Sequence, residues 1–376
     1  MKQQVATEHK SELSSDSPAE RTQMLSGTQL FLKATGLSLI ITAVLLLITA
    51  VVIAAFAATT FSTFLKTAGV SYSEFSQQIS VGLKSTKYGE SSSIVFLLLG
   101  LDTLDSRPGS PALSDTIMYV VLNKNTGVVT TIAIPRDLWS PEFKTKVNAL
   151  YHYGKERYPE RPEQFPTEVL DELTGLKTTH TVVITMDLVA EIIDTLGGID
   201  VAVPVAFTDT EFPRSNVDVT KVTDPALLYE TVSFSAGTEL MNGQRALQYM
   251  RSRKSEDDQG TDTARNVRQQ LVIESLVTRL RSSKVLSSPK IMGNLYGLYA
   301  KKIAGSVSVS DAVALGKILY PLKDSLTIQS HPLSIFPESP EGLLVNPPIT
   351  KYKQWVYEVR DIDTFKQAFT TIESTK

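Results

Sequence analysis

Residues 93–102, SIVFLLLGLD, decide how this chain is read: a short apolar run, Ser93–Leu99, is ended by Gly100 and followed by Asp102. A run of that length, punctuated by glycine, reads as a buried strand. Working outward, Thr116–Leu122 and Val128–Ile134 are β-rich runs joined by Asn123–Gly127 (NKNTG), the pattern of a hairpin with a glycine-containing loop. Further on, Val182–Ile184 is strand-like, and Asp187 is read as the cap of a helix that carries Val189, Ile192, Ile193 and Leu196 on one face. Gly197-Gly198 stops that helix and Ile199–Val203 follows as a strand. Asn242 opens another helix through Met250, and a long one is expected from about Thr263 to Ser282. Two more helices are expected near Pro289–Ile303 and Ser310–Leu322, with strand-like pieces near Leu326–Gln329 and Tyr352–Val359. Strands mixed with helices, without repeat or linker, predict an α/β fold with a central mixed β-sheet flanked by helices.

Upstream, Leu37–Ala58 (LSLIITAVLLLITAVVIAAFAA) carries no charge. A helix of ~20 apolar residues spans a bilayer, so a transmembrane signal anchor is expected over residues 36–58. The A-x-A pattern at Ala55-Phe56-Ala57 leaves a cleaved signal peptide as the rival, but the run exceeds the ~7–15 residues of a signal-peptide core. Residues 1–35, polar and rich in Ser, Thr, Gln and Glu, read as a disordered cytoplasmic tail, 59–90 as a stalk, and 91–376 as one extracytoplasmic domain. Arg21 and Lys33 precede the span and Lys66 alone follows closely, which puts the large C-terminal part outside and the protein in the cell membrane.

A net charge of -3 over 376 residues excludes a general polyanion binder and argues against nucleic acid as a partner. The absence of cysteine removes disulfides, thiolate metal sites and a cysteine nucleophile. His9, His152, His180 and His331 are scattered, which disfavours a histidine metal cage.

Three clusters carry candidate chemistry. Asp102 follows one strand and Asp115 opens the next, so both carboxylates fall at strand ends, where a hard cation such as Mg²⁺ could be held against phosphate oxygens; aspartate is equally a turn former. Ile134-Pro135-Arg136-Asp137 ends a strand and leaves Arg136 at a sheet end, with Lys146 and Asn148 nearby. Finally, Tyr249-Met250-Arg251-Ser252-Arg253 leads through a polar stretch to Asp262, Arg265, Arg268, Gln269 and Gln270 at a helix start. Arg265 and Gln269 share a face at i, i+4, and arginines gathered at a helix N-terminus suit a pyrophosphate. A solvated charged loop is the competing reading of that stretch, given Glu256, Asp257 and Asp258. Ser287-Ser288-Pro289-Lys290 fits S-x-x-K, but lacks the partner motifs of a serine acyl-enzyme.

Taken together these residues resemble the LytR-CpsA-Psr (LCP) family of bacterial cell-wall phosphotransferases. The likeness lies in GLD at 100–102, SDTIM at 114–118, IPRDLW at 134–139, KVNALY at 146–151, LGGIDV at 196–201, GTELMNGQRALQYMRSR at 237–253 and DTARNVRQQ at 262–270, in that order behind a signal anchor. The resemblance implies an LCP-type α/β/α sandwich that moves a glycopolymer, such as teichoic acid or capsule, from a polyprenyl-pyrophosphate carrier onto peptidoglycan, leaving a phosphodiester. It implies Mg²⁺ at Asp102 and Asp115, and a pyrophosphate set of Arg136, Lys146, Arg251, Arg253, Arg265 and Gln269. Arg136 and Asp262 are the catalytic candidates, Asp262 as a base by its position beside the arginines. An apolar tunnel for the prenyl tail is expected along Leu188–Leu196 and Ile273–Leu280. Departures are the long Thr103–Leu113 segment, in which Asp105 could replace Asp102 and Arg107 could approach the phosphates, and Leu113 where the family often has a basic residue. The proline-rich insertion Glu156–Pro166 is placed to shape acceptor choice. Two other readings stay open: a pyrophosphatase using water as acceptor, and a non-enzymatic wall-binding or regulatory module.

Overall fold

α1, Gly27–Ala68, is one unbroken helix, and its part Val44–Ala68 is long and apolar enough to cross a membrane. That fits a single-pass membrane anchor. The computed structural model describes residues 27–89, 91–102, 111–214, 217, 221–222 and 224–374. It divides at Thr59/Thr60 into two units, and the fold below is that of the second.

After α2 (Tyr72–Lys84) come β1 (Ser93–Leu101), β2 (Ser114–Asn123) and β3 (Val128–Ile134), then a tight hairpin of β4 (Trp139–Ser140) and β5 (Thr145–Lys146). α3 (Leu150–Arg157) and α4 (Gln164–Thr174) follow, the proline-rich insertion forming the end of one and the start of the other. Next are β6 (His180–Thr185), α5 (Met186–Thr195), β7 (Ile199–Val203), β8 (Phe207–Pro213), α6 (Pro225–Leu228), β9 (Tyr229–Phe234) and β10 (Gly237–Met241). The helices α7 (Gly243–Arg251), α8 (Asp262–Leu280), α9 (Ser283–Leu286), α10 (Pro289–Lys302) and α11 (Val309–Leu319) lead to β11 (Thr327–Ser330). β12 (Ile335–Phe336), β13 (Leu344–Val345), α12 (Ile349–Tyr352), β14 (Glu358–Val359) and α13 (Ile362–Ser374) complete the described chain.

The central sheet has the order β11-β3-β2-β1-β6. β1 runs antiparallel to β2 and parallel to β6, so the sheet is mixed as expected. Alternation along the strands sends Val95, Leu97, Leu99, Ile117, Tyr119, Ile132 and Ile134 to one face, where they pack with Leu150, Phe165, Leu170, Phe365 and Phe369 of α3, α4 and α13. On the other face Ile94 and Leu122 lie under Ala314 and Leu315 of α11. A second core joins α5, α7 and α8 to β7, β8 and β9 through Val189, Ile193, Val201, Phe207, Phe234, Tyr249 and Val272. His180 ties the β6 end to the helical layer. Its Nδ1 lies 2.7 Å from the Ser306 carbonyl, which can only accept, so Nδ1 carries the proton and Nε2 accepts the Tyr88 hydroxyl at 2.7 Å.

Three local expectations change. Thr185, rather than Asp187, caps α5, its hydroxyl accepting from the Leu188 amide while Asp187 sits in the first turn. Of Tyr352–Val359 only Glu358–Val359 pairs as a strand. Where a stalk was expected, the end of α1 up to Ala68 and α2 are helical and packed. Phe61 and Phe64 stack into a cluster with Phe75 and Tyr296. α2 begins on a Ser71/Glu74 capping box and lies so close to α11 that a Cβ on Gly82 would sit 2.5 Å from the Ser310 carbonyl oxygen. Lys317 of α11 donates to Leu83 and Ser85 carbonyls at the end of α2, and Lys87 pairs with Asp311 at 2.7 Å. Gly82→Val should therefore lower stability by about 1–3 kcal/mol, read as a lower urea midpoint, whereas Gly316→Ala, with open space around it, should not. Equal midpoints for both variants would return residues 59–90 to a stalk.

Candidate functional site

Strand direction alone gathers the site. β1 ends, β2 begins and β3 ends at the same edge of the sheet, since Leu101 pairs with Ser114 and Ile117 with Ile134. Asp102 thus follows β1 with its amide on the Leu113 carbonyl, Asp115 is the second residue of β2, and Arg136 emerges just past β3. The register slips between Gly100 and Leu101, and Gly100 faces Thr116 so closely that a Cβ there would lie 2.9 Å from the Thr116 Cβ. Glycine is needed where β1 bends toward the acidic pair.

Onto this edge α7 and α8 bring the arginines. Arg251, last residue of α7, pairs through Nε with Asp102 at 2.9 Å. Arg136 pairs with Asp115 at 2.5 Å, and Lys146 with Asp137 at 2.6 Å. Arg253, Arg265 and Gln269 line one cavity of about 510 Å³ together with Asp115, Thr116, Ala133, Pro135, Arg136 and Asp137. The expected binding residues Arg136, Arg253, Arg265 and Gln269 therefore meet, and Arg251 and Lys146 border them through their carboxylate partners. Five cations (Arg136, Lys146, Arg251, Arg253, Arg265) against three carboxylates (Asp102, Asp115, Asp137) leave two positive charges, which suits a diphosphate. Burial pushes the Asp115 carboxyl pKa up; Arg136 opposes this, Asp102 adds to it, and Arg265 and Arg253 pull it back. Two carboxylates within mutual electrostatic reach in a desolvated corner fit one Mg²⁺, which takes one or two carboxylates and fills its shell with phosphate and water. Among the described residues no group of three acids or histidines forms a self-sufficient metal cage. Asp105 and Arg107 lie outside the described residues. So does the side chain of Asp262, whose backbone opens α8 behind the Thr261 cap.

Arg268, expected beside the other arginines, is 1% exposed and lines no part of the cavity. Its Nε donates to the Tyr249 carbonyl at 2.9 Å, Nη1 to Gln259 at 2.9 Å and Nη2 to Ser252, and the guanidinium lies 4.8 Å from the Phe207 ring. Asp209, also 1% exposed, accepts the amides of Arg253 and Lys254 at 2.9 and 3.2 Å. These two charges hold the loop that presents Arg251 and Arg253. The sequence held a signal for the first: Arg268, Val272 and Leu276 recur every four residues and share the core face of α8. Asp209 on β8 carried no comparable signal.

The apolar tunnel expected along α5 and α8 is not formed by their inward faces. Leu188, Val189, Ile193 and Leu196 are buried core, as are Val272 and Leu276, while Ile273 and Val277 face outward. The sheet's second face offers an apolar track instead. Phe96 and Leu98 of β1, Met118 and Val120 of β2 and Val182 of β6 are only half-buried, and Ile184 is exposed. Leu98 pairs with Met118 and Val182, and Met118 with Ala133, so this face begins inside the cavity at Ala133 and Thr116 and runs down the sheet.

An α/β sandwich whose sheet edge ends in a basic, carboxylate-lined hollow, in a chain that also carries a helix long and apolar enough to cross a membrane, narrows the class of protein this can be. More particularly, the LytR_cpsA_psr family matches residues 59–333, and the chain belongs to that family. It is 27% identical over 187 residues to the polyisoprenyl-teichoic acid–peptidoglycan teichoic acid transferase TagU of Bacillus subtilis (strain 168), covering 49% of this chain and 51% of the relative. To TagV of the same organism, described as the same kind of transferase, it is 27% identical over 230 residues, or 59% and 52%. The chain spans about half the length of these curated relatives. The crystal structure of B. subtilis TagV covers 76% of this chain and 97% of its own, with 20% identity and a TM-score of 0.46.

Two outcomes follow from this geometry. Arg268→Met strands three carbonyls and should cost ~3 kcal/mol or more, with faster proteolysis after Arg253 and Lys254; unchanged cleavage there would remove the bracing role. Because the folded-state pKa of Asp115 is raised above its ordinary 3.8, its stabilising contribution is complete below that value and is lost as pH rises through the folded pKa. Without divalent ions, Asp115→Asn should therefore gain on the wild type in urea unfolding as pH climbs from 4 to 7.

Proposed function

We propose that the protein transfers a glycopolymer from a polyprenyl-pyrophosphate carrier to peptidoglycan, forming a phosphodiester, with its large domain outside the cytoplasmic membrane. The carrying observation is the cavity in which Arg136, Arg253, Arg265, Gln269 and Asp115 converge beside the Arg251–Asp102 pair. Phosphoryl transfer asks for charge neutralisation and alignment more than for covalent help from the protein, and planar guanidinium forks supply both. In this reading Arg136, Arg251, Arg253 and Arg265 hold the two phosphates, Lys146 restrains Asp137 at the rim, and Gln269 donates to a phosphate oxygen. The prenyl tail lies along Leu98, Met118, Val182 and Ile184. The acceptor hydroxyl oxygen bonds the sugar-side phosphorus, the bridging P–O bond breaks, polyprenyl phosphate leaves, and the hydroxyl proton goes to Asp262, the sequence-based candidate base. Asp102 and Asp115 would hold Mg²⁺, whose chemistry there is neutralisation of phosphate charge.

Purified full-length protein in vesicles, given prenyl-pyrophosphate-linked glycan, peptidoglycan and Mg²⁺, should yield glycan covalently joined to peptidoglycan. Arg251→Ala/Arg253→Ala should cut the rate more than ~100-fold with little change in melting temperature. Chelation with EDTA should do likewise, reversibly. Release of free glycan phosphate at equal rate with and without peptidoglycan would instead make the protein a pyrophosphatase.

A further inference from the structure

The family match stops at residue 333, yet the chain beyond it returns to the cavity. The Trp139 amide donates to the Tyr357 carbonyl at 2.7 Å, and the Tyr357 amide donates to the carbonyl of Asp137, a cavity residue, at 3.0 Å. Asn346 clamps the same stretch by donating its side-chain amide to the Val356 carbonyl at 2.6 Å. Val356 is fully buried and Tyr357 is half-buried against the core, whereas Trp355 between Gln354 and Val356 is exposed. Trp355 is 46% exposed and meets the Tyr357 ring edge-to-face at 4.6 Å. Next to them Trp139 packs on Tyr352 with ring centroids 4.4 Å apart. Trp139 is the cross-strand partner of Lys146, so both side chains leave the same face of the β4–β5 hairpin, and Lys146 reaches Asp137 at the cavity rim. Burial raises the Tyr357 pKa, with Glu338 and Asp137 adding to it, in keeping with a phenol near that rim.

Four aromatic rings thus belong to backbone joined directly to Asp137 of the cavity wall, although none of them lines the cavity itself; Glu358, which Lys351 and Tyr352 hold, and the Asp137–Lys146 pair supply the neighbouring charges. A large ring left half in water at a site edge is apolar area still to be covered, and the rigid side chain has little entropy to lose when it is. The C–H face of a pyranose fits a flat aromatic, while its equatorial hydroxyls need donors and acceptors around the rim, which these charged groups provide.

We propose that segment 346–359 adds a sugar-stacking wall to the cavity, in which Trp355 and Trp139 receive the face of a pyranose ring next to the pyrophosphate. The ring is either the first sugar of the carrier-linked glycan or a sugar of the acceptor strand. The proposal deepens the transferase reading and rests on it for the identity of those two glycans.

Trp139 and Trp355 are the two tryptophans of the chain, so intrinsic fluorescence reports on the wall directly. Full-length protein in detergent is titrated with a short-chain prenyl-pyrophosphate-linked sugar, with a disaccharide-peptide released from peptidoglycan, and with inorganic pyrophosphate. One of the two sugar probes should change the emission saturably, which identifies its source, and pyrophosphate should not. Trp355→Ala should weaken that probe about 10-fold, Trp355→Phe much less, with pyrophosphate affinity by calorimetry unaltered in both. Undiminished affinity for both sugars in Trp355→Ala, or the same emission change with pyrophosphate alone, would overturn the wall. If such a variant still joined glycan to peptidoglycan, the transferase reading would survive that loss. Saturable sugar binding by a protein that transfers nothing would support the wall and remove the transferase.

Discussion

A single buried guanidinium, that of Arg268, fixes the arrangement on which the site depends. It lies against the Phe207 ring, with the Tyr249 ring further off, and donates to the carbonyls of Tyr249, Ser252 and Gln259. Those carbonyls belong to the end of α7 and the irregular loop after it, where no helix or sheet supplies donors. Burial presses its pKa downward, but a guanidinium keeps its charge under such pressure and so can serve as a permanent multi-donor brace. Asp209 completes the support from the opposite sign, accepting the Arg253 and Lys254 amides. With the backbone held at both polarities, the Arg251 side chain pairs with Asp102 at the sheet edge and Arg253 lines the cavity there.

The sheet contributes the other half by its directions. Two antiparallel pairings bring a strand end, a strand start and another strand end to one rim, so Asp102, Asp115 and Arg136 meet without any long-range adjustment. The rim then concentrates like charges of both signs. Asp115 is desolvated and faces Asp102, and the arginines only partly offset that cost. A site in this condition holds unspent attraction for a ligand carrying compensating charge, cation on one side and phosphate on the other. Its apolar neighbour, the half-buried second face of the sheet, is where the proposed transferase would lay a hydrocarbon chain.

Much of this was legible in the sequence because it is encoded locally. The runs Ser93–Leu99, Thr116–Leu122 and Val128–Ile134 became β1, β2 and β3 with small changes at their ends, since period-two burial and a glycine loop leave little freedom. The candidate binding residues Arg136, Arg253, Arg265 and Gln269 came together because each stands near the end of an element whose direction the pattern fixes. Reading failed where identity was ambiguous without a partner. An arginine at the seventh place of DTARNVRQQ reads alike whether it is turned to a phosphate or, like Arg268, to three carbonyls. The apolar faces of α5 and of α8 read alike as tunnel wall or as core, and packing made them core. Residues 59–90 looked like a stalk because Gly82 and Thr67 mean nothing until α11 and α10 approach them.

By itself, then, the sequence determined the long apolar helix, the strand and helix pattern, and the stock of charges that end up at one rim, because each is written in nearest-neighbour chemistry and short periodicities. Tertiary structure alone decided that Asp209 would brace Arg253, that the sheet rather than two helices would present the apolar track, and that the Tyr357 backbone would bond to Asp137. Those outcomes join residues 44 to more than 200 positions apart, and no local propensity carries information across such a distance.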